Sequence, residues 1–232
     1  MRQSGIAVAA LVIAAWPGLA AAQVACPAGP ARDGVWIEFP DRLVESRVLS
    51  DGRIQEMEYL FEEGGIYCYI TLPMGLVVES WALQEGRVPA DERESVTYSG
   101  TPDPVPSPAP GVRFDGIETS RYADGGETRY SLSAMVGAAQ PVGIGACSYT
   151  GLPVDVTRVE MGGPVYRDAM MYLVDLGITL YLGFSEDGSD PVPLMPVSIS
   201  SLPPVAGAAP APGLLPPPLP TPPGGGAGLP EK

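Results

Sequence analysis

Four glutamates crowd one stretch of this chain, Glu56, Glu58, Glu62 and Glu63. Two carboxyl groups held about 5 to 9 Å apart can divide acid and base roles in glycoside hydrolysis, so this cluster is where carboxylate chemistry would sit. No cleft is legible around it, and it is not assigned a catalytic role. A second acidic group, Ser185, Glu186, Asp187, Gly188, Ser189 and Asp190, has the oxygens to hold Ca²⁺ but lacks the alternating ligands and closing Glu of an EF-hand loop. It reads as a solvated turn. Trp36 and Trp81, with Tyr67 and Tyr69, offer material for an aromatic surface that would stack sugars or peptides, against the plainer reading that they are core.

What the residue inventory lacks is as informative. The chain has no His, which excludes Ser-His-Asp and Cys-His nucleophilic sites and every His-bearing zinc site. Its single Lys is Lys232, in a Pro/Gly tail where nothing would lower its pKa. With 13 basic against 27 acidic residues the net charge is −14, which repels phosphate backbones and disfavours nucleic-acid binding. The acids are scattered, with no like-charge run to mark an interaction tail. No catalytic residue, cofactor or metal site is assigned from the sequence.

The elements that would position these residues are β-strands. Residues 1–22 have the plan of a secretory signal peptide: Arg2, an uncharged apolar run over 6–15, then Pro17-Gly18 and Ala20-Ala21-Ala22 before the cleavage point. The run is too short for a transmembrane anchor, which needs about 20 residues. This places the mature protein in the periplasm or outside the cell. Asp-Gly pairs at 33, 51, 115, 124 and 187 signal hairpins, because both central residues of the favoured turn take positive φ. The first hairpin runs over residues 42–61 about Asp51-Gly52, with strands over 66–72 and 76–83 after it. A second runs over 117–136 about Asp124-Gly125, with strands over 144–150, 154–160, 165–174 and 178–184. Residues 169–176 also have helical spacing, but the strand reading is kept.

The two hairpins echo each other. Glu45, Asp51-Gly52, Cys68 and Thr71 recur in order as Glu118, Asp124-Gly125, Cys147 and Thr150, and a 73-residue shift carries Met57, Tyr59 and Phe61 onto Tyr130, Leu132 and Ala134. The expected organisation is two related β-rich units, 23–100 and 111–202. Between them lies a connector over 101–110 containing five Pro, and after them a Pro/Gly-rich tail over 203–232 that cannot bury enough surface to order itself. The expected fold is all-β, antiparallel meanders forming a sandwich or flattened barrel.

Three Cys in an exported chain permit one disulfide. Cys68 shares its strand face with Ile66, Ile70 and Leu72 and reads as a small core residue, which leaves Cys26 and Cys147 as the preferred pair and Cys68–Cys147 as the competitor. No Cys-x-x-Cys supports thiol exchange. The resulting expectation is an exported, non-enzymatic β-module of the bacterial envelope. Its partner would be another envelope protein or a cell-wall component; the alternative is a carboxylate-dependent hydrolase acting on an envelope glycan.

Overall fold

Turn chemistry and alternation together make this protein all-β. Gly52 and Gly125 close the two Asp-Gly hairpins at φ of 86° and 87°, a region where a Cβ is penalised. A computed structural model describes residues 25–62, 64–83, 87 and 93–204. Residues 1–22, expected to be a signal peptide, and most of the Pro-rich tail lie outside the described residues.

Thirteen strands form one open antiparallel sheet: β1 (Val35–Glu38), β2 (Arg42–Val48), β3 (Ile54–Leu60), β4 (Ile66–Thr71), β5 (Val77–Leu83), β6 (Glu94–Thr101), β7 (Arg113–Tyr122), β8 (Glu127–Val136), β9 (Gln140–Ile144), β10 (Cys147–Glu160), β11 (Val165–Leu173), β12 (Ile178–Ser185) and β13 (Ser198–Ser200). The order is β12-β11-β10-β8-β7-β6-β5-β4-β3-β2-β1-β13, with β9 pairing the first half of β10. The 101–110 stretch belongs to the connection between β6 and its neighbour β7, and the sheet is continuous across it.

The layering expected of a sandwich comes from this single sheet rolling past its own starting edge. The register carries one face from Val44 and Glu56 through Tyr69, Tyr98, Glu118, Leu132, Val156 and Met170 to Thr179 and Tyr181. On β5 to β8 and β10 to β11 this face holds a core of Leu76, Phe114, Leu132, Ala134, Val154, Val156 and Met170. On β1 to β3 the same face, with Val35, Ile37 and Ile54, packs against the opposite face of β11 and β12, with Met171, Leu173, Ile178, Leu180 and Leu182. β11 and β12 are therefore buried on both sides. That explains the near-continuous apolar run around Met170 and Met171 that resembled a helix; residues up to Leu173 are strand, and the chain turns at Gly177.

The edges of the roll are sealed without a ladder. The segment between β12 and β13 crosses from one to the other, with Leu194 N donating to Leu182 O and Val197 N to Glu38 O, each at 2.8 Å. The β4–β5 turn docks from the other side, where Thr179 Oγ1 donates to Pro73 O at 2.6 Å. Gly75 in that turn has φ 78°, and a Cβ there would run into the Met170 sulfur. Two sequence readings are corrected. Of the strands expected over 144–150 and 154–160, residues 147–150 and 154–160 lie in one long strand, β10, while Ile144 ends β9. Asp115-Gly116 is not a turn but the middle of β7, where Gly116 faces Gly100 so closely that a Cβ on either would strike the other's backbone.

Candidate functional site

The cavity lies where the free edge of β12 meets the concave side of β1 to β5. It encloses about 320 Å³ and is lined by Ile37, Phe39, Val44, Val77 and Leu180 on its apolar wall and by Arg42, Glu56, Glu58, Tyr69 and Thr71 on its polar one. Strand alternation explains the polar wall: Glu56 and Glu58 are two apart on β3, and Arg42, Tyr69 and Thr71 occupy the same face on β2 and β4. Their Cα atoms are therefore roughly 7 Å apart for the two Glu residues, on the same face of one strand.

Arg42 is the hub. It is 8% exposed, its guanidinium lies 4.1 Å from the centre of the Phe39 ring, and its Nη2 donates to the Tyr181 carbonyl on the β12 edge at 2.8 Å. Nη1 donates to Asp41 Oδ1 at 3.0 Å. Arg42 Nε stands 2.8 Å from Glu58 Oε1, but the N–H is not aimed at that oxygen, so the contact is an ion pair and Nε lacks a hydrogen-bond acceptor. Tyr69 OH donates to Glu58 Oε2 at 3.3 Å.

The two glutamates have different electrostatic surroundings. Burial pushes Glu56 up to about 8, reinforced by the neighbouring Glu58 charge and only partly opposed by Arg42. Glu56 is half-buried and lines the cavity. Glu58 is also raised by burial, but the Arg42 charge and the Tyr69 hydrogen bond pull it back. The cavity thus sets a carboxyl whose proton is held by burial to about 8 beside one that Arg42 draws into an ion pair. Thr71, 4% exposed, also lines this space, and its Oγ1 is buried without a hydrogen-bond partner. Ser46 Oγ, cross-strand from Glu56, has none either. Unpaired buried hydroxyls each cost about 1 to 3 kcal/mol.

No known protein family, curated protein or solved structure matches this chain. Function therefore rests on the geometry. Of the residues singled out from sequence, Glu56 and Glu58 share the cavity, Glu62 is exposed, and Glu63 lies outside the described residues. The four aromatics do not form one surface. Register sends Trp36 and Trp81 to the reverse face of the sheet and Tyr67 and Tyr69 to the cavity face. Trp36 stacks on Tyr59 with ring centres 6.0 Å apart, in a small cluster with Met57, Ile66, Cys68 and Trp81. Tyr67, Tyr69 and Trp81 do meet at a shallow recess of about 360 Å³ where β5 and β6, held by only two residue pairs, begin to part. Trp36 takes no part in it.

Cys26 and Cys147 are bonded, with S–S 2.07 Å, and Cys68 is a buried free thiol pushed up to about 11 by burial. The Ser185 to Asp190 loop turns its oxygens onto itself: Ser189 N donates to Asp187 Oδ1 at 2.9 Å, and Arg167 pairs with Asp190. Among the described residues no three His, Cys, Asp or Glu side chains gather as a metal site requires. Sequence reasoning missed Arg42, Thr71 and Tyr181; Arg42 and Tyr181 are 139 residues apart, and no local signal joins them.

The raised Glu56 makes a pH prediction. An unfolded Glu loses its proton near 4.5, whereas folded Glu56 keeps it to about 8. Across that window the folded state binds the extra proton, so this group's contribution to stability falls as pH rises from about 4.5 to 8 and is level above. Glu56→Gln removes that slope. Urea unfolding from pH 5 to 9 is expected to show the variant gaining steadily on the wild type up to pH 8; parallel curves would contradict the burial of this carboxyl.

Proposed function

We propose that this protein is an exported, non-enzymatic binding module of the bacterial envelope, and that its ligand is a small molecule held in the cavity at the β12 edge. The observation that carries this reading is a space of about 320 Å³ with an apolar wall, onto whose other side Arg42, Glu56, Glu58, Tyr69 and Thr71 converge. Enclosed spaces of a few hundred Å³ with an apolar wall and a few convergent polar groups are the usual form of ligand sites. The disulfide fits an oxidising compartment. Among the described residues no helix is long and apolar enough to cross a membrane.

The test is native mass spectrometry of the protein recovered from an envelope extract. A one-to-one small-molecule adduct is expected on the wild type and is expected to vanish in Val77→Trp, which fills the cavity. An adduct that survives this change, or none on either protein, overturns the reading.

One observation favours the second reading, the carboxylate-dependent hydrolase: burial holds the Glu56 proton up to about 8 while Arg42 pairs with Glu58, a division of surroundings of the kind glycosidase pairs use. It predicts glycan cleavage abolished by either Glu56→Gln or Glu58→Gln. Against it, both acids project from one strand face, and the Glu58 oxygens are already engaged by Arg42 and Tyr69.

A further inference from the structure

We infer that the cavity is built for a small organic cation, an alkylammonium group whose nitrogen sits among Glu56, Glu58 and Thr71 and whose carbon body lies on Ile37, Phe39, Val44, Val77 and Leu180. The inference rests on the cavity being the ligand site and adds the chemistry of what enters it.

Charge balance is the first argument. The cavity wall carries two carboxyl groups, Glu56 and Glu58, against one guanidinium, Arg42, which is further shared with Asp41. One carboxyl is thus left over, and in the empty site only a proton can neutralise it. An ammonium ion performs the same neutralisation. An anionic ligand would meet a guanidinium whose donors already serve Asp41 and the Tyr181 carbonyl, with two acids beside it.

Hydrogen-bond stoichiometry is the second argument. A primary ammonium has three donors and no acceptor. The site offers a Glu56 carboxylate and the remaining lone pairs of Glu58, and Thr71 in the same wall carries a buried hydroxyl with no partner. A hydroxyl-bearing neutral ligand would find the same hydroxyl but would leave the surplus carboxyl as it was.

Binding is then an exchange: the ammonium enters, and Glu56 releases its proton to solvent. The groups that face Glu56 are Arg42 from β2, Glu58 from β3, Tyr69 from β4 and Tyr181 from β12, while β1 and β5 contribute only Ile37, Phe39 and Val77. Burial pushes Tyr181 up to about 12 and Tyr69 higher still, so neither tyrosine titrates where Glu56 does. A ligand that must displace one proton gains about tenfold in affinity per pH unit until the site's own proton is gone.

The probes are butylamine and its neutral counterpart 1-butanol, titrated calorimetrically into the full mature protein at pH 6, 7 and 8. Butylamine is expected to bind one to one, about tenfold tighter from pH 6 to 7 and about fivefold tighter from pH 7 to 8, with release of close to one proton at pH 6 and about half a proton at pH 8. Butanol is expected to bind at least about tenfold more weakly than butylamine at pH 8 and without pH dependence. Glu56→Gln is expected to abolish the amine's pH dependence and leave butanol unaffected, whereas Thr71→Val is expected to weaken the amine and keep its pH dependence. Butanol binding as tightly as butylamine, or an amine affinity flat from pH 6 to 8, overturns the cation while leaving a ligand cavity in place. If neither probe binds and the envelope extract yields no adduct, the cavity reading fails with it; if neither binds but an adduct is present, the cation alone is overturned.

Discussion

Replacing Arg158 with Met is expected to cost the protein about 3 to 5 kcal/mol, because it strands two buried carboxyl groups at once. Arg158 projects from β10 into the concave face between Glu118 of β7 and Asp168 of β11, which are 6% and 8% exposed. Its Nε donates to Glu118 Oε2 at 2.8 Å, and its Nη1 pairs with Asp168. Burial works against the Arg158 charge, but Glu118 beside it more than compensates, so the guanidinium holds its proton more firmly than usual. Removing it leaves both carboxyls without the cation that pairs them.

The variant is expected to unfold at a much lower urea concentration with an unchanged denaturant slope. The triple change Arg158→Met, Glu118→Leu and Asp168→Leu is expected to recover most of the loss, since a buried ion cluster and an apolar cluster of similar volume are often close in stability. A single-variant loss under about 1 kcal/mol would show that water reaches these carboxyls. The damage should also spread to the cavity: Asp168 accepts a hydrogen bond from Tyr181 OH at 3.4 Å, and the Tyr181 carbonyl anchors Arg42.

Residues with local signals were the legible ones. The β2–β3 and β7–β8 hairpins could be read because Asp51-Gly52 and Asp124-Gly125 specify their turns and alternation specifies their strands. β6 was missed because only Val96 of its eight residues is buried, so no apolar period marks it. β1 and β13 are four and three residues long, too short to carry a pattern. β10 was read as two strands because Gly151, Leu152 and Pro153 interrupt it. These fall where β9 stops pairing, at Gly151, and β8 begins, at Val154, so the strand changes neighbours there without ending.

The site was legible as a pair of acids and not as a place. On β3 the apolar set, Met57 and Tyr59, predicts which face is buried, and it is buried, in the cluster on the reverse of the sheet. The acidic face, Glu56 and Glu58, is then turned inward by the roll of strands more than a hundred residues later. The echo between hairpins shares this fate: Glu45 and Glu118 match in sequence, but the register places them on opposite faces of the one sheet. Local pattern fixes which side chains travel together, and only the long-range curl decides which group faces the interior. A polar face forced inward is where a sequence most often departs from its own rules for the sake of function.

The Cys26–Cys147 bond should be the largest single contribution of any covalent feature here. It joins residues 121 apart in sequence, and in the chain-entropy account a closed loop of that size is worth about 5 kcal/mol through restriction of the unfolded chain. The segment it pins is more than a tether. Ala31 N donates to Leu176 O and Ala31 O accepts from Val48 N, both at 2.9 Å, while Tyr149 OH donates to Pro27 O at 3.3 Å. The N-terminal strap thereby ties β2, the start of β10 and the β11–β12 turn into one overlap, the region where the sheet rolls past itself. The double variant Cys26→Ser and Cys147→Ser is expected to lose about 5 kcal/mol in urea unfolding, and a reductant is expected to destabilise the wild type by the same amount without affecting the variant. Cys68 should not confuse the result: it is 2% exposed, and burial raises its thiol to about 11, so little of the reactive thiolate exists near neutral pH. In Cys26→Ser alone, Cys147 is therefore expected to remain a free thiol in a non-reducing mass map. A Cys68–Cys147 bond there would mean that the overlap opens far enough to release Cys68, and a loss below about 1 kcal/mol in the double variant would mean that the overlap holds without its strap.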